Sequence, residues 1–490
     1  MTPSPHRLER LTTGNAAFDG ILGGGFPIRS VNVIAGEPGA GKTLFALQML
    51  FHLAQQGKKG LYLTTLSEPA MKLLSYAQQF AFFDQRLVDE GRVVFADLGS
   101  LIRGKDVAGT LGAITSRVER EEPALIVIDS FKAVRDLLAD SPTSVRMFVY
   151  DVAVHAAGWG ATSLFVGEYT DPEIGSLSEF AVADGIVRLT SRRDELRAVR
   201  EVEVMKLRGA SYVTGGHFFE IGADGLEFFP RVRSPEVPEG GGPIGTAERV
   251  ATGVPGLDAM LGGGLPLASA TVVEGGTGTG KTLLGLQFLL DGARHGAPGI
   301  HFLLEETPDQ LREIAHGFGW DLTELERRRL LTLRYTSPVE LSTDRFLDQA
   351  RHEISALGAK RAVLDSLTSM ALGVPSERRF KELVYSITKH FRAQGVTSTM
   401  NLDVPDLLGS AQLSGHGLSF TADNVIQLKY VELDGRLERG ISVLKARGVR
   451  HTTDVRRMNV RPDGIEVAAP FEAMRGVLTG LPTPVGRGQT

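Results

Sequence analysis

The chain has 490 residues, of which 42% are hydrophobic and 23% charged, and its net charge is −5. That length exceeds one compact core and suits two domains, the composition excludes a disordered chain, and the slightly acidic balance excludes the broad basic footprint of a nucleic-acid binder. The absence of cysteine excludes a disulfide framework and cysteine-ligated zinc, and it fits a cytoplasmic location.

The amino-terminal stretch MTPSPHRLERLTTGN carries no apolar signal core, and no run of about 18 apolar residues follows, so no membrane span is expected. SVNVIAG (30–36) reads as a strand entering a glycine-rich turn, and TLFALQMLFHLAQQG (43–57) as the apolar helix leaving it. GLYLTTL (60–66), ALIVIDS (124–130) and TSLFVGE (162–168) read as further buried strands. The Pro- and Gly-rich segment 230–246 has no apolar period and reads as a linker. Beyond it the pattern returns: ATVVEGG (270–276), GIHFLLEE (299–306) and RAVLDSL (361–367) are the equivalent strands. Residues 13–43 and 252–282 align with Lys42 on Lys281, and the same offset of 239 carries Asp184 onto Asp423, Lys206 onto Lys445 and Arg208 onto Arg447. This is a duplicated domain, expected at 1–235 and 245–490. Strand–helix alternation in each half predicts an α/β fold, with mostly parallel central sheets flanked by helices.

Both halves carry G-x-x-x-x-G-K-[ST]: Gly36, Gly39, Ala40, Gly41, Lys42 and Thr43 in the first, and Gly275, Thr277, Gly278, Thr279, Gly280, Lys281 and Thr282, followed by Leu283, in the second. Glycines let backbone N–H groups curl around phosphate oxygens, and the helix that follows offers its free N–H groups to the anion. Lys42 and Lys281 are then the β,γ-phosphate contacts of ATP, and Thr43 and Thr282 ligands of Mg²⁺. Asp129 and Asp365 end apolar strands, where an acid holds the Mg²⁺ shell or simply begins a turn. Glu305 and Glu306 close the strand Ile300–Leu304. An acid there can activate a nucleophile, and strand alternation predicts that only one of the two faces the nucleotide. Thr307-Pro308-Asp309 reads as the next helix entry. At the repeat offset the first half has Leu66-Ser67, with Glu68 one residue on. The amino-terminal half is therefore expected to bind ATP but to hydrolyse it slowly unless Glu68 substitutes. Lys206 with Arg208, and Lys445 with Arg447, sit at i and i+2, which on a strand aims both cations at one anion.

These residues resemble the KaiC-like family of RecA-type ATPases. The resemblance runs through the TG…LD..LGGG entry (Gly253, Leu257, Asp258, Leu261 to Gly264), both P-loops, GIHFLLEETPDQLREIAHGFGWDL (299–322) and YVELDGRLERGISVLKARG (430–448). It implies two tandem RecA-like domains and a double-ring homohexamer with ATP at subunit interfaces. It also implies ATPase activity, serine/threonine autophosphorylation in the carboxyl-terminal ring, and signalling or a clock role through a KaiB-like protein or another partner. By resemblance, Lys445, Arg447 and Arg439 approach the γ-phosphate across the interface, as do Lys206 and Arg208 in the first ring. Phe318 lies against the adenine and Glu305 activates the nucleophile. The family's adjacent Ser-Thr acceptors correspond to Ser419 and Phe420, with Thr421 displaced by one. The first half has no hydroxyl in 180–184. Only six residues follow 471–484, so regulation without KaiA is expected.

Two other readings compete. A RecA-type DNA motor needs basic pore loops, but 167–184 and 400–424 contain no Lys or Arg, so no nucleic-acid partner is expected. A non-catalytic scaffold would use ATP only to hold subunits together.

Overall fold

The computed structural model describes residues 8–65, 70–102, 106–137, 142–194, 197–231, 248–374, 376–404, 421–433, 435–471, 474–475 and 483–484. The chain divides into two compact units, Met1–Arg231 and Val232–Thr490.

The first unit is built on a nine-stranded sheet. From one edge its order is Val93–Asp97, Gly60–Thr64, Leu125–Asp129, Thr162–Glu168, Val31–Gly36, Gly185–Asp194, Arg197–Leu207, Gly216–Gly222 and Gly225–Phe229. The first six strands are parallel to their neighbours, and the rest run antiparallel as consecutive hairpins. The second unit repeats this order as Leu331–Tyr335, Gly299–Leu303, Arg361–Asp365, Thr397–Asp403, Ala270–Gly275, Asn424–Leu433, Arg436–Ala446, Arg456–Arg461 and Gly464–Pro470. Its parallel and antiparallel joins fall in the same places. The expected α/β class and the tandem RecA-like arrangement are both present.

The central strands are apolar on both faces because both faces are covered. In Leu125–Asp129, Leu125 and Val127 join one core cluster with the helix Lys42–Gln55, while Ile126 and Ile128 join another with helices Val107–Glu121 and Pro142–Gly158. The P-loop helices are therefore apolar around most of their girth. Lys281–Arg294 buries Leu283, Leu284, Leu286 and Phe288 among others, and at Gly285 an added Cβ would come within 2.9 Å of Val363. A residue no larger than glycine thus lets this helix lie close over the strand that ends in Asp365.

Two details differ from the strand pattern. The strand beginning at Gly299 ends at Leu303, so Glu305 and Glu306 lie in the turn before the helix Pro308–Gly317, and strand alternation does not separate them. Arg208 and Arg447 likewise lie one residue beyond their strands, which end at Leu207 and Ala446, because Gly209 and Gly448 turn the chain at φ of 68° and 73°. Among the described residues no helix is long and apolar enough to cross a membrane.

Candidate functional site

Each P-loop lies at the carboxyl end of a central strand, between that strand and a long helix. Gly41 and Gly280 cap the helices at φ of 95° and 108°, a conformation that a side chain would strain. Neither helix start receives a side-chain cap, so its first N–H groups face the loop and are available to an anion. Ala40 and Thr279 are buried beneath the loops, and the Thr279 hydroxyl donates to the Gly276 carbonyl at 2.8 Å. Gly39, Thr277 and Gly278 form the exposed rim.

The lysines fold over these loops. Lys42 Nζ donates to the Glu37 carbonyl at 2.7 Å. Burial pushes its ammonium below the usual lysine range against the pull of Glu168, Asp129 and Glu37. Lys281 Nζ donates to the carbonyls of Gly275 at 3.0 Å and Gly276 at 2.9 Å, and lies 2.7 Å from Asp403 Oδ1. In the first unit a cleft of about 740 Å³ opens beside the loop, lined by Lys42, Thr43, Asp129, Lys132, Glu168 and Tyr76 among others.

The threonines and strand-end acids meet as a magnesium site requires. Thr43 Oγ1 donates to Asp129 Oδ2 at 2.7 Å. The Tyr62 hydroxyl, from the neighbouring strand, donates to the same oxygen at 2.6 Å. In the second unit His301 stands at the position of Tyr62, with Nε2 3.9 Å from Asp365 Oδ2. Asp365 is 3% exposed, and its Oδ2 has no hydrogen-bond partner among the described residues. Burial pushes its carboxyl up to about 6, opposed by the side chains of Asn401 and Thr282 and reinforced by Glu306 and Glu305. A buried carboxylate oxygen without a partner, beside a threonine at the mouth of a P-loop, fits Mg²⁺ with its water shell. One carboxylate and one hydroxyl suffice for that ion. A dedicated protein cage is not needed, and no cluster of three or more His, Asp or Glu ligands occurs among the described residues.

His301 is fully buried, and neither ring nitrogen has a hydrogen-bond partner among the described residues. Desolvation pushes its pKa down to about 3. The unfolded chain takes up a proton near pH 6.5 and the folded chain does not. Stability is therefore lost as pH falls from about 6.5 toward 3, by up to about 1.4 kcal/mol per pH unit. His301→Phe is expected to flatten that part of the stability–pH curve, measured by urea unfolding at pH 7.5 and 5.

The acid pair lies on the same rim. Glu305 Oε1 accepts from Ser366 Oγ at 2.6 Å and from Ser369 Oγ at 2.5 Å. Glu306 Oε2 is buried without a partner among the described residues. Leu66, Ser67 and Glu68 lie outside the described residues, but the strands Gly60–Thr64 and Gly299–Leu303 keep the 239 offset.

The late cations lie elsewhere. Asp423 Oδ2 accepts from the N–H of Ala270 at 3.0 Å, at the start of the P-loop strand. Around it, Arg447 lies 3.8 Å from Oδ1, Arg392 donates to Oδ2, and Lys445 Nζ donates to the Ala422 carbonyl at 2.7 Å. The first unit matches: Asp184 accepts from Val31 N–H, Arg208 pairs with Asp184, and Lys206 reaches the carbonyls of Phe180 and Ala181. These cations gather at the strand end opposite their own P-loop. Arg439 is separate from them: its Nε donates to the Gly278 carbonyl of its own P-loop at 3.3 Å, with its guanidinium over the Tyr430 ring. Phe318 stacks on Trp320 at a centroid distance of 5.2 Å. Thr421 Oγ1 is buried without a partner among the described residues, and Ser419 lies outside them.

The family model described as "ATPase: KaiC" matches twice, at residues 11–233 and 250–472, spanning both P-loops. The chain belongs to the KaiC ATPase family. It is 30% identical over 490 residues to the circadian clock oscillator protein KaiC of Acaryochloris marina, covering 98% of this chain and 92% of that protein. It is also 30% identical to two Synechocystis proteins. These are circadian clock oscillator protein KaiC 1, with 98% and 92% covered, and circadian clock protein KaiC3, with 97% and 95%. As a KaiC-family ATPase the chain uses ATP.

Sequence reading missed several residues on this rim. Glu168 and Asp403 end equivalent strands and pair in register with Gly36 and Gly275, so the repeat itself could have revealed them. Tyr62, Ser369 and Asn401 left no such signal.

Proposed function

We propose that this protein is a KaiC-type ATP hydrolase and serine/threonine autokinase. It works as an ATP-bridged homohexamer in the cytoplasm and signals, in a clock-related or similar role, through a KaiB-like or other protein partner. The reading rests most on one observation: around the second P-loop, Lys281, Asp365 and the hydroxyl-held Glu305 converge on a single rim.

The residues divide the work. Loop N–H groups and Lys281 bind and orient the phosphates. Thr282 and Asp365 would hold Mg²⁺, which when bound neutralises charge on the β,γ oxygens. Glu305 draws a proton from the attacking water as its oxygen bonds to the γ-phosphorus, and the bond to the β,γ-bridging oxygen breaks with its electron pair leaving on ADP. In the kinase reaction the Ser419 hydroxyl takes the place of water, with Thr421 as the other candidate acceptor. Burial raises the Asp365 carboxyl, and the negative charge of Glu306 adds to that effect. The amino-terminal domain (1–235) binds ATP through Lys42, Thr43 and Asp129 but turns it over slowly unless Glu68 substitutes, because at the repeat offset Leu66-Ser67 stand where the acids would be. The domain at 245–490 carries the phosphoryl transfer. The lack of Lys and Arg in 167–184 and 400–424 disfavours a DNA motor.

The test is intact-mass and phosphopeptide analysis after incubation with Mg-ATP, alongside phosphate release with and without single-stranded DNA. Ser419→Ala is expected to remove most phosphorylation while leaving phosphate release within about twofold of wild type. An unchanged phosphopeptide map rejects Ser419. Stimulation by DNA supports the motor instead, and no phosphate release at all supports the scaffold.

A further inference from the structure

Glu305 lies in an exposed turn past the end of its strand, where three rotatable bonds would let the carboxylate wander. A group meant to take a proton from a nucleophile must be held to a fraction of an ångström. Two hydroxyls hold it. Ser366 and Ser369 are 1% and 8% exposed, and both donate to the same oxygen, Oε1. Their own positions are fixed. Ser366 caps the helix Leu367–Leu372, and its Oγ accepts from the N–H of Ser369 at 3.2 Å. With Oε1 occupied by two donors, Oε2 is left to accept the proton.

Helix capping explains Ser366 but not the Ser369 hydroxyl, since the cap needs only the backbone N–H of residue 369. The first unit shows this directly. Ser130 stands in the place of Ser366 and its Oγ accepts from the N–H of residue 133 at 3.3 Å, yet residue 133 is alanine. The second hydroxyl occurs in the unit that has Glu305 and is missing from the unit that has Leu66 at the corresponding position.

We infer that Ser369, together with Ser366, is a positioning residue for the carboxyl-terminal reaction: it fixes the Glu305 carboxylate so that Oε2 faces the attacking hydroxyl or water. The inference rests on Glu305 being the group that activates the nucleophile, and the experiment separates the two claims. Phosphate release by the full-length protein is measured for Ser369→Ala, Ser369→Thr, Glu305→Gln and the double variant Ser369→Ala/Glu305→Gln. Binding of a fluorescent ATP analogue is followed in parallel. Ser369→Ala is expected to lower kcat about tenfold with KM and analogue affinity changed less than twofold, Ser369→Thr to restore most of the rate, and the double variant to be no slower than Glu305→Gln alone. Wild-type turnover in Ser369→Ala with slow turnover in Glu305→Gln overturns the positioning role and leaves the role of Glu305 standing. Wild-type turnover in Glu305→Gln overturns the role of Glu305, and the positioning role with it. Equal losses of kcat and analogue affinity in Ser369→Ala, or no rescue by threonine, mark the hydroxyl as structural and also overturn the inference.

Discussion

Lys281→Ala is expected to abolish ATP-dependent labelling of the carboxyl-terminal half and to lower its phosphoryl-transfer rate about 10²–10³-fold, the scale of removing one preorganised charge contact from a transition state. Lys281 Nζ has the Gly275 and Gly276 carbonyls on one side and Asp403 on the other. Bringing phosphate oxygens to this loop exchanges those contacts for stronger charge-assisted bonds. Without the lysine, the triphosphate would face the Asp403 carboxylate with no cation between them, so affinity falls together with rate. Assembly is expected to weaken as well, since the proposed subunit contacts run through bound nucleotide. Labelling with radioactive ATP and titration with a fluorescent analogue measure both effects. A Lys281→Ala protein that still labels itself would show that the site has been misassigned.

Much of this site could be read from the sequence, for a physical reason. A P-loop is a local object: glycines, lysine and threonine act within eight residues, and their spacing is the mechanism. The repeat doubled that signal and carried it to Asp129 and Asp365, because a buried parallel strand that stops at an acid is also a short-range pattern. What stayed hidden depends on register between strands distant in sequence. Tyr62 reaches Asp129 only because the ladder sets Tyr62 beside Val127 and Thr64 beside Asp129. In isolation it reads as one more aromatic residue in an apolar strand. Ser369 looks like an ordinary helix serine until the turn after Leu303 brings Glu305 over it. The strand-end errors have the same origin. Apolar residues continue through Leu304, but the strand is closed by backbone bonds from Thr336 to Leu303 and from Leu304 to Asp365, which the sequence does not display.

Subunits carrying Lys281→Ala and subunits carrying Lys445→Ala with Arg447→Ala should each be inactive alone and recover activity when mixed. The reason is distance within one chain. Asp423, which gathers Lys445 and Arg447, receives the N–H of Ala270, whereas the P-loop begins at Gly275, the other end of the same strand. Five steps of about 3.3 Å put these two ends about 17 Å apart. Lys445 is also tied to the Ala422 carbonyl and Arg447 to Asp423, at the end away from their own phosphate site. If these cations serve a phosphate at all, it belongs to a nucleotide held by another copy, as in the proposed homohexamer, whose head-to-tail contacts would close into a ring. In a random one-to-one mixture, an interface is competent when an intact P-loop meets an intact Lys445–Arg447 pair. That occurs at about a quarter of interfaces, so phosphate release should return to about a quarter of the wild-type rate. A mixture no more active than its parents would place the action of these cations within one subunit, or remove them from the reaction.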